Sequence, residues 1–347
     1  MSQKSFTNRQ LRAFSTDVLK ASGLDTENAE IVTELLLHAD MRGHESHGVS
    51  RLPIYCERLT RGIVNARPNV SLERVMPSVL LVDADNGPGP VASVAAIDKA
   101  IEIARSQGIC LALVQHSNHN GSSSFYVERA VNAGCIAFAM TNAPPSMAVH
   151  GTAEAVIGTN AIAFGAPTSS ETPLLADMAT AVAARGKIVE SAKSGRTIPI
   201  GWALDENGTP TSDANAALKG VILPFAGAKG SALAIMVEVL CGVLSGGRFG
   251  SMLGNLYTDF DKTQDIGHFF LVINASSGHF GPVADRVAQL TDGIKSAKRA
   301  EGITEILMPG EIEKINQAES DARGILLHDA IVKDLNALAS RLGTRSL

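Results

Sequence analysis

Between residues 70 and 140 the hydrophobic pattern of this chain changes period, and that change limits the folds open to it. Residues 79–82, 109–114 and 135–140 are short apolar runs with β-branched members, and helical patterns at 91–107 and 122–133 separate them. Strand and helix in alternation is the sequence form of an α/β domain. Residues 161–165, 174–178 and 269–273 read as further strands, and Glu206, Asn207 and Gly208 mark a tight turn. On both sides of this region the pattern is helical. The first 65 residues read as helices, with Val32, Leu35, Leu36 and Ala39 at i, i+3, i+4 and i+7 behind an N-cap at Asp25 or Thr26. Near the other end Ile331, Leu335, Leu338 and Leu342 share one face. The expected organisation is an α/β region at 71–279, with a helical domain built from residues 1–70 and 280–347 packed together.

The chain has 347 residues, 45% of them hydrophobic and 19% charged, with a formal net charge of −5. That length supports two or three subdomains. Lys and Arg are scattered, which argues against a nucleic-acid footprint or a polybasic membrane patch. No uncharged apolar run reaches spanning length, and residues 1–6 lack the apolar core of a signal peptide. Cys56, Cys110, Cys135 and Cys241 are far apart in apolar contexts, as expected of reduced, buried thiols in a cytoplasmic protein.

Residues 44–53 gather His44, Ser46, His47, Gly48, Arg51 and Pro53 just after a predicted helix. Pro53 is tolerated only in a first turn, so the next helix is expected near Ser50, with 43–49 as loop. A carbonyl reductase needs this set: an imidazole to exchange a proton and a guanidinium to clamp a carboxylate. A polar loop between helices is the plain alternative. His116, Ser117, Asn118, His119, Asn120, Gly121 and Ser122 follow a strand and open a helix, a place suited to a polar ligand or simply a Ser-capped helix start. Gly158, Thr159 and Asn160 adjoin one predicted strand. In another, Asp177 either accepts from a ribose or caps a turn. Lys187 opens the next predicted helix. Gly227, Lys229, Gly230 and Ser231 stand at the mouth of an apolar stretch, 230–245, which reads as a helix buried on most sides; they offer a phosphate or carboxylate site. The Gly87–Pro90 stretch is a turn plus a Pro-started helix rather than a Gly-x-Gly-x-x-Gly fingerprint, and no phosphate loop of the Walker type is present. His47, His119 and Asp177 could form a metal set, but His44 and His47 are one residue short of zincin spacing, and no metal is expected.

Taken in order, Ala39-Asp40-Met41-Arg42-Gly43, Ser46-His47-Gly48, Arg51-Leu52-Pro53, Gly158-Thr159-Asn160 and Asp177-Met178-Ala179-Thr180 resemble the type 2 malate/L-lactate dehydrogenase family. Gly201-Trp202-Ala203-Leu204-Asp205, Lys229-Gly230, Gly267-His268-Phe269-Phe270 and Met308-Pro309-Gly310-Glu311 extend the match over nearly the whole chain. The family includes malate, lactate, sulfolactate and ureidoglycolate dehydrogenases and cyclic-imine reductases. The resemblance implies an α/β fold with a non-Rossmann NAD(P)-binding domain, NAD or NADP as cofactor, a small carboxylate as substrate and a homodimer. It implies Ser46 and His47 as the catalytic pair, His119 and Lys187 as further catalytic groups, and Arg51 and Thr159 as substrate contacts. Cofactor contacts are expected at His119, Gly121, Ser122, Asp177, Met178, Ala179, Lys229, Gly230, Gly310 and Glu311.

Departures bear on the substrate. Many relatives read His-Phe-Gly where this chain has His119-Asn120-Gly121, and Gly-Thr-Asn-Pro where it has Gly158-Thr159-Asn160-Ala161. Imine reductases carry an acidic residue where Lys187 stands, which favours a 2-hydroxy acid; Lys229-Gly230-Ser231-Ala232-Leu233 instead looks like the imine branch. The expected activity is hydride transfer between nicotinamide and a 2-hydroxy/2-oxo acid, with a cyclic imine-2-carboxylate or ureidoglycolate as alternatives. A nucleotide-binding protein without catalysis is the alternative of another class; Ser46, His47, Arg51 and Lys229 together argue against it.

Overall fold

The computed structural model describes residues 2–347. It is a mixed α/β fold built on a seven-stranded sheet. The strands are β2 (Ser71–Met76), β3 (Val79–Asp83), β4 (Ile109–Ser117), β5 (Cys135–Thr141), β6 (Ala161–Ala166), β7 (Leu174–Ala179) and β10 (Ile266–Asn274), in the order β2-β3-β4-β10-β5-β6-β7. Only β3 and β4 run parallel; every other neighbouring pair is antiparallel. The parallel pair needs a crossover, supplied by α4 (Gly89–Gln107). Asp85 and Asn86 take left-handed φ in the turn before it, and Pro90 sits in its first turn.

Alternation along the strands divides the sheet into two faces. Ala112 and Val114 of β4, with Val82, Ala137 and Phe270, pack against α4 and α5 (Ser124–Asn132). Leu113, Met140 and Phe269 face the other way, toward Val237 and Cys241. Those two belong to α8 (Ala228–Val237) and the π-helical turn Glu238–Val243 that continues it.

Here the sequence reading needs correction. Residues 230–245 are not buried all round: Ile235, Val239, Val243 and Leu244 are about half exposed. The composition is apolar on every side, but only the stripe carrying Val237 and Cys241 meets the sheet.

The chain ends meet. β1 (Gln3–Phe6) pairs antiparallel with β11 (Ile325–His328), so the first 65 residues are not wholly helical. α1 (Asn8–Ala21), α2 (Thr26–Met41), α3 (Leu52–Thr60) and α11 (Asp329–Leu342) share one apolar cluster with β11. Asp25 is the N-cap of α2, its carboxylate accepting from the Asn28 N–H at 2.8 Å. α2 faces both clusters, with Leu35 in the sheet layer and Val32 and Leu36 in the terminal one. The loop leaving its C-terminus therefore emerges at the seam between them.

A third cluster is small and separate. α6 (Arg185–Lys193), β8 (Ala203–Leu204), α7 (Ala214–Lys219) and β9 (Val221–Ile222) bury Ile188, Ile198, Ala203, Ala214, Ala217 and Ile222. α9 (Val283–Lys295) and α10 (Glu311–Arg323) complete the chain.

Candidate active site

The loop between α2 and α3 is two short 3₁₀ turns, Glu45–His47 and Val49–Arg51. The stretch expected as plain loop is thus locally ordered, and α3 begins at Leu52 with Pro53 in its first turn. Asp40, from the last turn of α2, holds the loop from behind: its carboxylate accepts from the Val49 N–H at 2.8 Å. Gly48 makes this possible, since a Cβ there would lie 1.7 Å from Asp40 Oδ1. Burial pushes the Asp40 carboxyl up to about 7, and the Val49 hydrogen bond only partly opposes it.

In front of this support stand the reactive groups. Ser46 Oγ and His47 Nδ1 are 2.9 Å apart. Arg51 Nε donates to the Ser46 carbonyl at 2.5 Å, and its guanidinium lies 5.5 Å from the ring centre of Tyr257. The His47 and His119 rings stack with centroids 5.7 Å apart. Burial brings His47 down to about 4, Arg51 adding to the effect and Asp177 opposing it. His119 is held well below its ordinary value, by burial first and then by Arg51 and His47. Both imidazoles are neutral at pH 7.

The hydrogen bonds of His119 fix its tautomer. The Gly121 backbone N–H points to Nδ1 at 3.3 Å and can only donate. Nδ1 is therefore an acceptor, the Tyr55 hydroxyl 2.6 Å away donates to it, and the ring proton sits on Nε2. Burial raises Tyr55 to about 12, so the hydroxyl keeps that proton. Gly121 adopts φ +71°, and a Cβ there would come within 2.4 Å of Leu35 Cδ2.

Tyr55 was not singled out from the sequence. It stands on α3, four residues after Arg51 at the N-cap position of that helix, and that i, i+4 spacing is the signal that could have found it. Gln264, whose Oε1 accepts from the His119 N–H at 3.1 Å, had no local signal.

The other expected site residues gather around the end of β7. Asp177 Oδ2 accepts from Ser122 Oγ at 2.9 Å and from the Ser124 N–H at 2.7 Å. It is thus the cap of α5, in place of the Ser cap that the local sequence offered. Met178 and Ala179 are exposed on this edge strand. The Leu175 N–H donates to the Pro309 carbonyl, which sets Gly310 and Glu311 beside β7. Thr180 donates to the Thr159 carbonyl, and its own carbonyl accepts from Phe225, three residues before α8. Lys229 is exposed in the first turn of α8, while Gly230 is buried there. Four separate stretches of chain thus converge on residues 175–180.

Two expected groups are engaged or apart. Glu311 is bonded to Lys295 Nζ at 2.5 Å and to the Met308 N–H at 2.8 Å. Lys187 is exposed on α6 in the small third cluster, and among the described residues no hydrogen bond or ion pair joins its ammonium to His47 or His119. Among those residues no group of three His, Cys, Asp or Glu is arranged to hold a metal. The set can exchange a proton, hold an anion at Arg51 and donate a hydrogen bond from His119 Nε2, and the two imidazoles stack against each other.

Comparison with known proteins finds relatives of the whole chain. The family model described as malate/L-lactate dehydrogenase matches residues 6–336. A malate dehydrogenase of Pyrococcus abyssi is 35% identical over 97% of this chain and 95% of its own length. The ureidoglycolate dehydrogenase (NAD(+)) of Escherichia coli K12 is 35% identical over 90% of each. The solved sulfolactate dehydrogenase of Methanocaldococcus jannaschii superposes with a TM-score of 0.92 at 33% identity, covering 99% of this chain and 98% of that one. With a family model over nearly its whole length and a shared fold, the chain belongs to the malate/L-lactate dehydrogenase family.

Proposed function

We propose that this protein is a nicotinamide-dependent 2-hydroxy acid dehydrogenase whose proton and carboxylate chemistry is carried by His47, Arg51 and His119. Membership of the family makes it a dehydrogenase of the CH–OH group. Most of the substrates named for its relatives, malate, ureidoglycolate and sulfolactate among them, are 2-hydroxy acids, while one relative is named as a δ1-piperideine-2-carboxylate reductase. The observation that carries the reading is the juxtaposition of a neutral base, a guanidinium and a neutral imidazole donor. In the oxidative direction His47, neutral and hydrogen-bonded to Ser46, accepts the hydroxyl proton. Arg51 clamps the substrate carboxylate. That charge offsets the repulsion Arg51 exerts on protonated His47, so substrate binding raises the His47 pKa toward the working range. His119 donates from Nε2 to the oxygen and stabilises it as it becomes a carbonyl.

The exposed edge of β7 fits a dinucleotide. Met178 and Ala179 are open to solvent, Gly310 holds a left-handed φ of 101° beside Pro173, and among the described residues no ion pair engages the exposed Lys229. Gly121, Ser122, Asp177, Met178, Ala179, Lys229, Gly230, Gly310 and Glu311 would hold NAD or NADP, which accepts hydride in oxidation and returns it in reduction. A sheet with a single parallel pair supports a mode unlike the Rossmann one. In this reading residues 71–279 form the cofactor and substrate domain, and residues 1–70 and 280–347 the helical domain.

The half-exposed stripe of Ile235, Val239, Val243 and Leu244 supports a homodimer. Four free buried cysteines support a cytoplasmic setting, and among the described residues no helix is long and apolar enough to cross a membrane. The test is a panel with NADH and NADPH: pyruvate, oxaloacetate, sulfopyruvate, 2-oxohexanoate and piperideine-2-carboxylate, with ureidoglycolate in the oxidative direction. A 2-oxo acid as the best substrate supports the reading. Faster reduction of the imine overturns it.

A further inference from the structure

We infer that the protein holds a fixed internal water behind His119, and that Gln264 positions His119 by way of that water. A cavity of about 30 Å³ lies between α3 and the start of α4. Tyr55, Arg58, Asn118, His119 and Gln264 line it among apolar neighbours. Three of these carry a buried polar atom with no protein partner: Arg58 Nε, Asn118 Oδ1 and Gln264 Nε2. Arg58 and Gln264 are 1% exposed and Asn118 4%. Buried side-chain polar atoms nearly always have a partner, so three such atoms around one cavity point to a common ligand.

The rest of each side chain is committed, which fixes its orientation. Arg58 Nη1 donates to the Asp259 carbonyl at 2.7 Å, and Nη2 to the Lys262 carbonyl at 3.2 Å. Asn118 Nδ2 donates to the Gly87 carbonyl at 2.9 Å and to Asn86 oxygens at 3.1 Å. Turning this amide over would set oxygen against oxygen. Gln264 Oε1 accepts from the His119 N–H, so turning that amide would set donor against donor. What remains is N–H donors on Arg58 and Gln264 and one acceptor on Asn118.

A water molecule matches this pattern, accepting from Arg58 and Gln264 and donating to Asn118. An anion would satisfy the donors and be repelled by Asn118 Oδ1. A cation would be repelled by Arg58. The volume admits a water, which needs at least on the order of 10–15 Å³.

The site lies beside His119, which lines the same cavity. Gln264 faces the water with one end and holds the His119 N–H with the other. Asn118, on the same water, is the residue before His119 in the chain, and Tyr55 meets His119 Nδ1 from the cavity wall. The water keeps the Gln264 amide from rotating, and so keeps the backbone of His119 in place. The positioning role rests on the proposed catalytic role of His119; the hydration site does not.

The test is a high-resolution crystal structure of the wild-type protein, with a second crystal soaked in bromide, and oxygen-17 relaxation dispersion in solution. The expected result is one oxygen within hydrogen-bond reach of Arg58 Nε, Asn118 Oδ1 and Gln264 Nε2, with a long residence time. A dry cavity, an anomalous bromide signal there, or the three groups paired with one another overturns the site. Gln264→Leu should then lose the long-lived water and lower kcat about 10-fold with KM nearly unchanged, as expected for a misplaced catalytic group. Gln264→Glu, which keeps an oxygen for the His119 N–H, should recover most of that loss. If Gln264→Leu keeps wild-type kcat, the positioning role is wrong. A wild type that turns over no acid on the panel refutes the proposed function and leaves the hydration result standing. The wild-type measurements hold even if Gln264→Leu does not fold.

Discussion

Removing one oxygen, in Tyr55→Phe, tests the assignment of His119 as a donor. In the structure Nδ1 takes two hydrogen bonds, a short one from the Tyr55 hydroxyl at 2.6 Å and a long one from Gly121 at 3.3 Å. The substitution deletes the short one and leaves the long one. A buried acceptor stripped of its partner costs about 1–3 kcal/mol, and a neutral hydrogen bond contributes about 0.5–1.5 kcal/mol net. Because Gly121 remains, the loss belongs near the low end, about 1 kcal/mol. If that energy is what holds the Nε2 proton toward the substrate, kcat falls about 5- to 10-fold, since 1.4 kcal/mol is a factor of ten. The assay has two parts. Nitrogen-15 correlation spectra of histidine-labelled protein read the tautomer, and steady-state rates with the best substrate of the panel read the consequence. The wild type should show His119 protonated at Nε2 throughout pH 6–8, and the variant a mixture of tautomers. A wild-type ring protonated at Nδ1, or a Tyr55→Phe enzyme with unchanged kcat, would refute the reasoning.

Other outcomes follow from the same geometry. His47→Ala should lower kcat about 10²- to 10⁴-fold, the usual range for a lost general acid–base; near-normal turnover in a stopped-flow assay would remove His47 from the mechanism. Arg51→Gln removes the charge that depresses His47, so the imidazole should titrate above its present value of about 4 in an NMR titration. The same variant should raise KM for the acid about 10- to 100-fold, the worth of a charge-assisted hydrogen bond. Asp40 stays protonated in the fold up to about 7 but ionises near 3.8 when unfolded. Its contribution to stability is therefore lost as pH rises between those values. Asp40→Asn keeps an oxygen for the Val49 N–H and abolishes the titration, so urea midpoints at pH 5 and pH 8 should differ less than in the wild type.

Features set by neighbouring residues were legible in the sequence. Asp25 caps α2 because a carboxylate reaches the free N–H groups of the turn that follows it, and Pro53 opens α3 because its missing N–H costs nothing there. Strands β3 to β7 and β10 showed as short apolar runs. What escaped depended on distant partners. The cap of α5 is Asp177, more than 50 residues away, rather than a nearby serine. Tyr55 acquires its role only when β4 delivers His119 beside α3. The bonds of Glu311 to Lys295 and to its own turn were likewise invisible in the sequence. The apolar stretch at 230–245 shows the converse: composition reports what can be buried, and the tertiary fold decides which side is. The candidate site was readable as a set of residue types, while its hydrogen-bond directions became visible only in three dimensions.

The pairing of β1 with β11 has a temporal meaning. The helices that seat Ser46, His47 and Arg51 rest on a cluster that also needs β11 and α11. On the ribosome, residues 44–51 emerge long before residue 325. Contacts of such wide sequence separation form late. A nascent chain stopped short of β11 would carry every reactive side chain of the loop without the support that aims them. The clasp at the two ends thus ties the support of this loop to the presence of both β1 and β11.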